Sequence, residues 1–160
     1  PSLWTYTSYY FDMGGFFNWM EENGITHLTD GLNLFFPTVI DLTSRETMLR
    51  GLAEISRNMP MTRQMGADSM SVAWLEDIIW AAEEMNADCC IYCGHHSCKQ
   101  TWSGAAVVRN EVMKRQKIPT LVLQGDSWIS RMTPVSVLQE SIEEFIKNVV
   151  TKKRPSRARA

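Results

Sequence analysis

The sequence predicts an α/β domain with an open, mainly parallel sheet and helices on both faces of that sheet. Short apolar runs of strand length alternate along the 160 residues with longer segments of helical periodicity. The two clearest strands, residues 89–93 and 120–124, are mostly apolar rather than alternating, which is typical of parallel strands covered on both faces. Because no linker or internal repeat precedes residue 151, we expect one domain over residues 1–150.

The first third of the chain predicts two strands with a helix between them. Residues 2–6 form a short, truncated strand, and residues 25–28 form the next one. Between them, residues 13–23 follow helical spacing and stop at Gly24. The apolar face of this helix comprises Met13, Phe16, Phe17 and Met20.

Two more helices are predicted before residue 86. Thr43 and Glu46 form a capping box at the start of one, and Ser71 caps the other. Their apolar positions are Leu49, Leu52, Ala53 and Ile55 in the first, and Val72, Leu75, Ile79 and Ala82 in the second. The methionines in the intervening region, Met59, Met61, Met65 and Met70, predict a flexible connection or an interface.

The second half of the chain repeats strand and helix twice. The strand at 89–93 leads through a polar loop at 94–100 into a helix at 103–116, and Pro119 then opens the strand at 120–124. These units predict a three-layer domain of Rossmann or flavodoxin type.

The last helix is predicted to begin with Thr133 as its N-cap and Pro134 at its first helical position. Its apolar stripe comprises Leu138, Ile142, Phe145, Ile146 and Val149. In open parallel sheets, working groups lie on loops at the carboxyl ends of strands. We therefore expect functional residues in the loops at 94–102 and 125–133.

Composition and charge exclude several classes of protein. With 44% hydrophobic and 21% charged residues, the chain is neither disordered nor collagenous. No apolar run is long enough for a membrane span, and no signal peptide is evident. The net charge is −2, but residues 151–160 hold five basic residues and no acidic one, so the preceding 150 residues carry −7. We expect a disordered basic tail at 151–160 and an acidic body that does not bind nucleic acid.

All four cysteines, Cys89, Cys90, Cys93 and Cys98, lie within ten residues. Such clustering indicates reduced thiols in the cytoplasm rather than a disulfide framework. A zinc site is one interpretation, but Cys90 and Cys93 would point to opposite faces of a strand. A thioredoxin-like motif would need a helix to begin at this pair. The alternative is that the first three are small hydrophobes of a buried strand.

Cys98 differs because it lies in the loop just before a helix capped near Thr101 or Ser103. A helix N-terminus and Lys99 would stabilise a thiolate there, which is an environment suited to an iron ligand.

Several segments together resemble the C-terminal domain of 2-hydroxyacyl-CoA dehydratase subunits, a superfamily that includes the benzoyl-CoA reductase B and C subunits. They are His96-Ser-Cys-Lys-Gln-Thr101, Ile118-Pro-Thr-Leu-Val-Leu-Gln-Gly-Asp126, Arg131 and Ile142-Glu-Glu-Phe-Ile146. The resemblance is most specific from Asn86 to Val149 and extends more weakly back to Asp12. It implies that the chain is a piece of a longer subunit, whose N-terminal part is absent here.

The resemblance implies a [4Fe–4S] cluster held by three cysteines, of which Cys98 matches the C-terminal one and two lie outside this chain. It also implies a lyase that works only with a paralogous partner subunit, an ATP-dependent iron–sulfur activator and the missing N-terminal part. The activator injects an electron that reaches the thioester carbonyl of an (R)-2-hydroxyacyl-CoA. The resulting ketyl radical expels the 2-hydroxyl group and yields enoyl-CoA.

The two loops at 94–102 and 125–133 contain further candidate site residues. His95 or His96 would hydrogen-bond the cluster or thioester, and Lys99 would offset cluster charge; packing or surface roles are the alternatives. In the second loop, Asp126, Ser127 and Arg131 are candidates, with the Asp126 carboxylate organising the loop through Arg131. No residue is assigned as a catalytic acid or base.

Two other functions remain open at this point. A benzoyl-CoA-reductase-type subunit would reduce an aromatic ring and release a cyclic dienoyl-CoA. A non-catalytic paralogue would relay electrons or scaffold the complex.

Overall fold

A computed structural model describes residues 1–8, 13–65, 69–126, 129 and 131–153. Ser127 and residues 154–160 of the predicted tail lie outside the described residues. The sheet has four parallel strands in the order β2-β1-β3-β4: β1 is Ser2–Trp4, β2 His27–Asp30, β3 Cys89–His95 and β4 Thr120–Gly125. The predicted parallel α/β class is therefore confirmed.

Helices flank the sheet. They are α1 (Met13–Glu22), α2 (Arg45–Asn58), α3 (Pro60–Arg63), α4 (Leu75–Glu84), α5 (Lys99–Gln116), α6 (Val135–Phe145) and α7 (Thr151–Lys153). A π-helical segment at Ser69–Trp74 precedes α4, and another at Ile146–Val150 joins α6 to α7. The first three residues of the predicted tail thus continue the last helix. None of the described helices is long and apolar enough to cross a membrane.

Each face of the sheet has its own core, because successive side chains of a strand point to opposite faces. On one face, Cys90 and Tyr92 of β3 pack with α4 and α5, where Val108 is fully buried. On the other face, Ile91 and Cys93 pack with α1 and α6. The domain therefore has three layers, with β3 at the centre of both cores.

The predicted caps of α2, α4 and α6 were misplaced. Ser44, not Thr43, caps α2, because its extended backbone lets its Oγ accept from the Thr47 N–H at 3.1 Å. The N–H of Thr43 instead donates to the Asp41 carboxylate.

The other two misplaced starts involve backbone geometry. Position 71 is not a helix start, since it lies inside the π-helical segment Ser69–Trp74, which runs directly into α4. This segment changes the angular spacing of side chains, so Val72 is 57% exposed instead of facing inward. Pro134, with ψ of 142°, is itself the N-cap of α6, and the predicted cap Thr133 lies one residue too early.

Strand and loop lengths also differ from prediction around the cysteines. β3 continues to His95, and α5 begins at Lys99 rather than 103, so the loop shrinks to residues 96–98. β2 occupies 27–30 rather than 25–28, because it pairs with β1 in a register that joins Ser2 to His27. Pairing with neighbouring strands, which local periodicity does not report, sets the position of β2 and the end of β3.

Candidate functional site

The strand order creates a crevice between β1 and β3. After β1 the chain continues to β2 on one side, and after β3 it continues to β4 on the other side. The connections that follow β1 and β3 therefore run in opposite directions. Ligands of open parallel sheets bind at such a switch point. The loop with Cys98 therefore lies at the crevice, while the predicted loop after β4 lies one strand away from it.

Cys98 is the N-cap of α5, in place of the predicted Thr101 or Ser103. Its backbone is extended, its Sγ accepts from the Thr101 N–H at 3.5 Å, and its side chain is half-buried. The Thr101 side chain lowers the pKa of the Cys98 thiol; burial opposes this shift, and the N–H groups of Thr101 and Gln100 reinforce it. The helix start thus favours a thiolate at Cys98.

The other three cysteines are buried free thiols. Burial raises the pKa of both Cys89 and Cys93 to about 12, and it raises that of Cys90 as well. Cys90 and Cys93 lie in the cores on opposite faces of the sheet. These three behave as small apolar side chains, and only Cys98 reaches the crevice edge.

The two imidazoles are tied to different neighbouring strands. His95 Nε2 lies 3.1 Å from the Thr7 hydroxyl, which joins the end of β3 to the segment after β1 across the crevice. His96 is exposed, and its Nδ1 accepts from the Gln124 side chain of β4 at 2.6 Å. Lys99, the first residue of α5, is exposed. His95 is therefore at the crevice, and His96 is turned toward β4.

Trp102 does more than fill space. Its indole Nε1 donates to the His95 carbonyl at 2.9 Å, so the first turn of α5 is fastened to the end of β3. The ring also covers Gly94, where a Cβ would lie 2.8 Å from Trp102 Cζ2. Together these contacts fix the path of residues 96–98 and the position of Cys98.

Behind Cys98 lie two stacked tyrosines. Tyr92 of β3 donates its hydroxyl to the Thr101 carbonyl at 2.6 Å, and its ring centroid lies 5.6 Å from that of Tyr6. Burial raises the pKa of both hydroxyls, so both are neutral donors at physiological pH.

A polar network at the ends of β1 and β2 was not predicted from the sequence. The Ser8 hydroxyl donates to Asp30 Oδ2 and lies 3.1 Å from His27 Nε2. Asp30 also accepts from the N–H groups of Leu32 and Asn33 and from the Asn33 side chain. The run Thr5-Tyr-Thr-Ser8 immediately after a strand was a signal that could have indicated this edge.

The loop after β4 is only partly described. Asp126 Oδ1 accepts from the Ile129 N–H at 2.9 Å, and Arg131 is exposed. Ser127 lies outside the described residues. Catalytic or binding roles for these three residues stay predictions.

A comparison with family models bears on this arrangement. The family described as 2-hydroxyglutaryl-CoA dehydratase, D-component, matches residues 2–149, which include all four strands and the Cys98 loop. The chain belongs to that family. No curated protein and no solved structure matched the sequence. The resemblance inferred from the motifs around Cys98 is thereby confirmed at the level of the 2-hydroxyacyl-CoA dehydratase superfamily.

An iron–sulfur cluster in a dehydratase component needs several thiolate ligands. Cys98 fits as one of them, because its thiol is partly accessible and its thiolate is favoured. Among the described residues, no three His, Cys, Asp or Glu side chains lie together as a metal site. These residues offer one ligand and do not complete a cluster site.

His27 should make the stability of this dehydratase component depend on pH. Burial lowers the pKa of His27, and the Asp30 carboxylate offsets part of that effect. As the pH falls below the ordinary histidine value of about 6.5, the unfolded chain binds a proton before the folded chain does. The free energy of unfolding should therefore decline between about pH 7 and about pH 5, and the His27→Gln variant should decline less. Urea denaturation across this range checks the result; parallel curves for both proteins would contradict it.

Proposed function

We propose that this chain is part of a subunit of an iron–sulfur (R)-2-hydroxyacyl-CoA dehydratase, with Cys98 as one ligand of a [4Fe–4S] cluster. Membership of the D-component family supports a dehydratase component. Because that family is described as a dehydratase, we favour water elimination over the ring reduction of a benzoyl-CoA-reductase-type subunit.

The position of Cys98 is the observation that carries the proposal. It is half-buried at the β1/β3 crevice, it caps α5, and its pKa is lowered. Cys89, Cys90 and Cys93 are buried and have raised pKa values. A metal ligand must be a thiolate that can reach the ion, and Cys98 alone of the four is partly accessible and has a lowered pKa.

A bound cluster would supply a low-potential electron for the substrate. One-electron reduction of the thioester carbonyl would give a substrate ketyl radical, which expels the 2-hydroxyl group. Loss of a β-proton and return of the electron would then give enoyl-CoA. The residues of this chain hold the site for that chemistry: Trp102 fastens the Cys98 loop, and the Thr7–His95 contact ties the segment after β1 to the end of β3.

The remaining requirements lie outside this chain. We place residues 1–150 as the C-terminal domain of a longer cytoplasmic subunit, with two further cysteine ligands in its N-terminal part. A paralogous subunit, an ATP-dependent activator and an acyl-CoA substrate complete the system. Without them, we expect no turnover from residues 1–160.

The test is metal content in the full-length subunit, purified anaerobically with its paralogous partner. Iron and acid-labile sulfide should fall by about half in Cys98→Ala, because a cluster in the partner would remain. Cys93→Ala, which removes a buried thiol five residues before Cys98, is the matched control and should keep the wild-type iron content. Unchanged iron in Cys98→Ala, or zinc in place of iron, would remove the ligand assignment.

A further inference from the structure

The outer edge of β4 presents an ordered row of backbone hydrogen-bonding groups. The Cys90 N–H donates to the Pro119 carbonyl at 2.9 Å, and Cys90 is in register with Thr120. In a parallel ladder, alternate residues turn both backbone groups to the same neighbour. Leu121 and Leu123 therefore face β3, whereas residues 120, 122 and 124 turn their N–H and C=O groups outward. In the described part of the chain, β4 pairs only with β3.

An apolar groove of about 630 Å³ runs along this edge. Side chains from the helix layers on both faces of the sheet bound the groove. A strand added to the edge of β4 would therefore fit between the two layers. Its apolar and strand lining comprises Thr120, Leu121, Val122, Met113, Phe145 and Val149. A strand placed here would satisfy the outward backbone groups and bury alternate side chains against α5 and α6.

The topology excludes a strand that directly follows α6 as the occupant of this edge. α1 connects β1 to β2 across one face, and α5 connects β3 to β4 across the other. α6 packs on the α1 face, since Leu138 and Ile142 share a core with Phe16. A right-handed crossover on that face runs toward β2, so a strand following α6 would not land outside β4.

The charged residues that line the groove are both cations, Arg109 and Lys114 of α5. A symmetric dimer could form if the β4 strands of two copies paired antiparallel in one continuous sheet. The α5 helices of the two copies would then lie side by side, and their cations would repel each other. An added strand with an acidic flanking residue would be attracted instead. Charge complementarity thus favours a different partner over a second copy of this chain.

We propose that the β4 edge binds an extended, acid-flanked strand of the paralogous partner subunit. The identity of the partner rests on the proposed function, whereas the strand geometry rests on the β4 edge itself.

Val122→Pro tests the proposal. It removes one outward N–H and leaves the bonds to β3 in place, because proline is tolerated in edge strands where the N–H faces solvent. Val122→Ala is the matched control, since it shortens the same side chain and keeps the N–H. In the full-length subunit, Val122→Pro should bind the purified partner subunit about tenfold more weakly than Val122→Ala.

A second readout follows the backbone directly. In hydrogen exchange at single-amide resolution, the Val122 and Gln124 amides should exchange fast in the isolated subunit and slowly in the complex. The Leu121 and Leu123 amides should be protected in both. Equal binding by the two variants, no added protection, or loss of a homodimer in Val122→Pro would each overturn the proposal. The iron content of Val122→Pro should stay wild-type, so the outcome is separable from the Cys98 test.

Discussion

Replacing Asp30 by alanine should lower the free energy of unfolding by about 2 kcal/mol, because a buried carboxylate that organises four hydrogen bonds, one of them from the buried Ser8 hydroxyl, is lost. The Asp30 side chain is 2% exposed. Its oxygens accept from two backbone N–H groups, from the Asn33 amide and from the Ser8 hydroxyl. Ser8 is buried, so its hydroxyl loses the Asp30 acceptor without gaining water, whereas Asn33 is exposed and Leu32 is half-buried.

Asp41→Ala is the control for this change. Asp41 also accepts a backbone N–H in a turn, from Thr43 at 2.8 Å, but it is fully exposed. Water replaces the lost acceptor there, and unfolding should be nearly unchanged. Urea denaturation at neutral pH compares the two variants. Equal, small effects would show that the Asp30 network adds little to stability.

The Asp30 network also shows where sequence reasoning reached its limit. Ser8 is 19 residues from His27 and 22 residues from Asp30 in the sequence. The pairing of β1 with β2 brings the three side chains together. Periodicity identified the strands and helices that build this edge, because burial on one face repeats locally. It could not report strand order, and so the β1 loop was overlooked.

Cys98 was predictable for a different reason. Its position between a buried strand and a helix is a local feature, and its pKa is lowered by the Thr101 side chain and by the N–H groups at the helix start. The exact start of α5 was less accessible, because it depends on the Trp102 indole bond to the His95 carbonyl. Local sequence thus predicted the direction of the Cys98 pKa shift, whereas tertiary contacts set the loop that carries this residue.

Helix α2 is a third case. Its apolar positions were recognised, yet no residue of α2 is buried, and Leu49 and Leu52 are each 55% exposed. An amphipathic pattern predicts a helix with an apolar face, but it does not say which surface covers that face.

Gly94→Ala should disrupt the Cys98 loop and destabilise the domain by about 2 kcal/mol. The new Cβ would lie 2.8 Å from Trp102 Cζ2 and 2.9 Å from Cη2. The indole cannot retreat without stretching its hydrogen bond to the His95 carbonyl. Relief of the clash therefore moves the first turn of α5, which includes the N-cap Cys98.

Gly14→Ala is the matched control, because a Cβ there meets nothing within 4 Å and alanine is the better helix former. It should leave stability equal or slightly higher. Adding Trp102→Phe to Gly94→Ala removes the clashing ring atoms and should recover part of the loss, giving a non-additive double-mutant cycle.

The same variants connect stability to the proposed cluster site. If Cys98 binds iron, Gly94→Ala should lower the iron content of the full-length complex, whereas Gly14→Ala should not. Thermal unfolding and iron analysis on the same preparations separate the two effects. A Gly94→Ala protein as stable as Gly14→Ala would show that Trp102 yields readily and does not hold Cys98 in place. Normal iron in a destabilised Gly94→Ala protein would instead show that the Trp102 contact supports the fold without positioning the ligand.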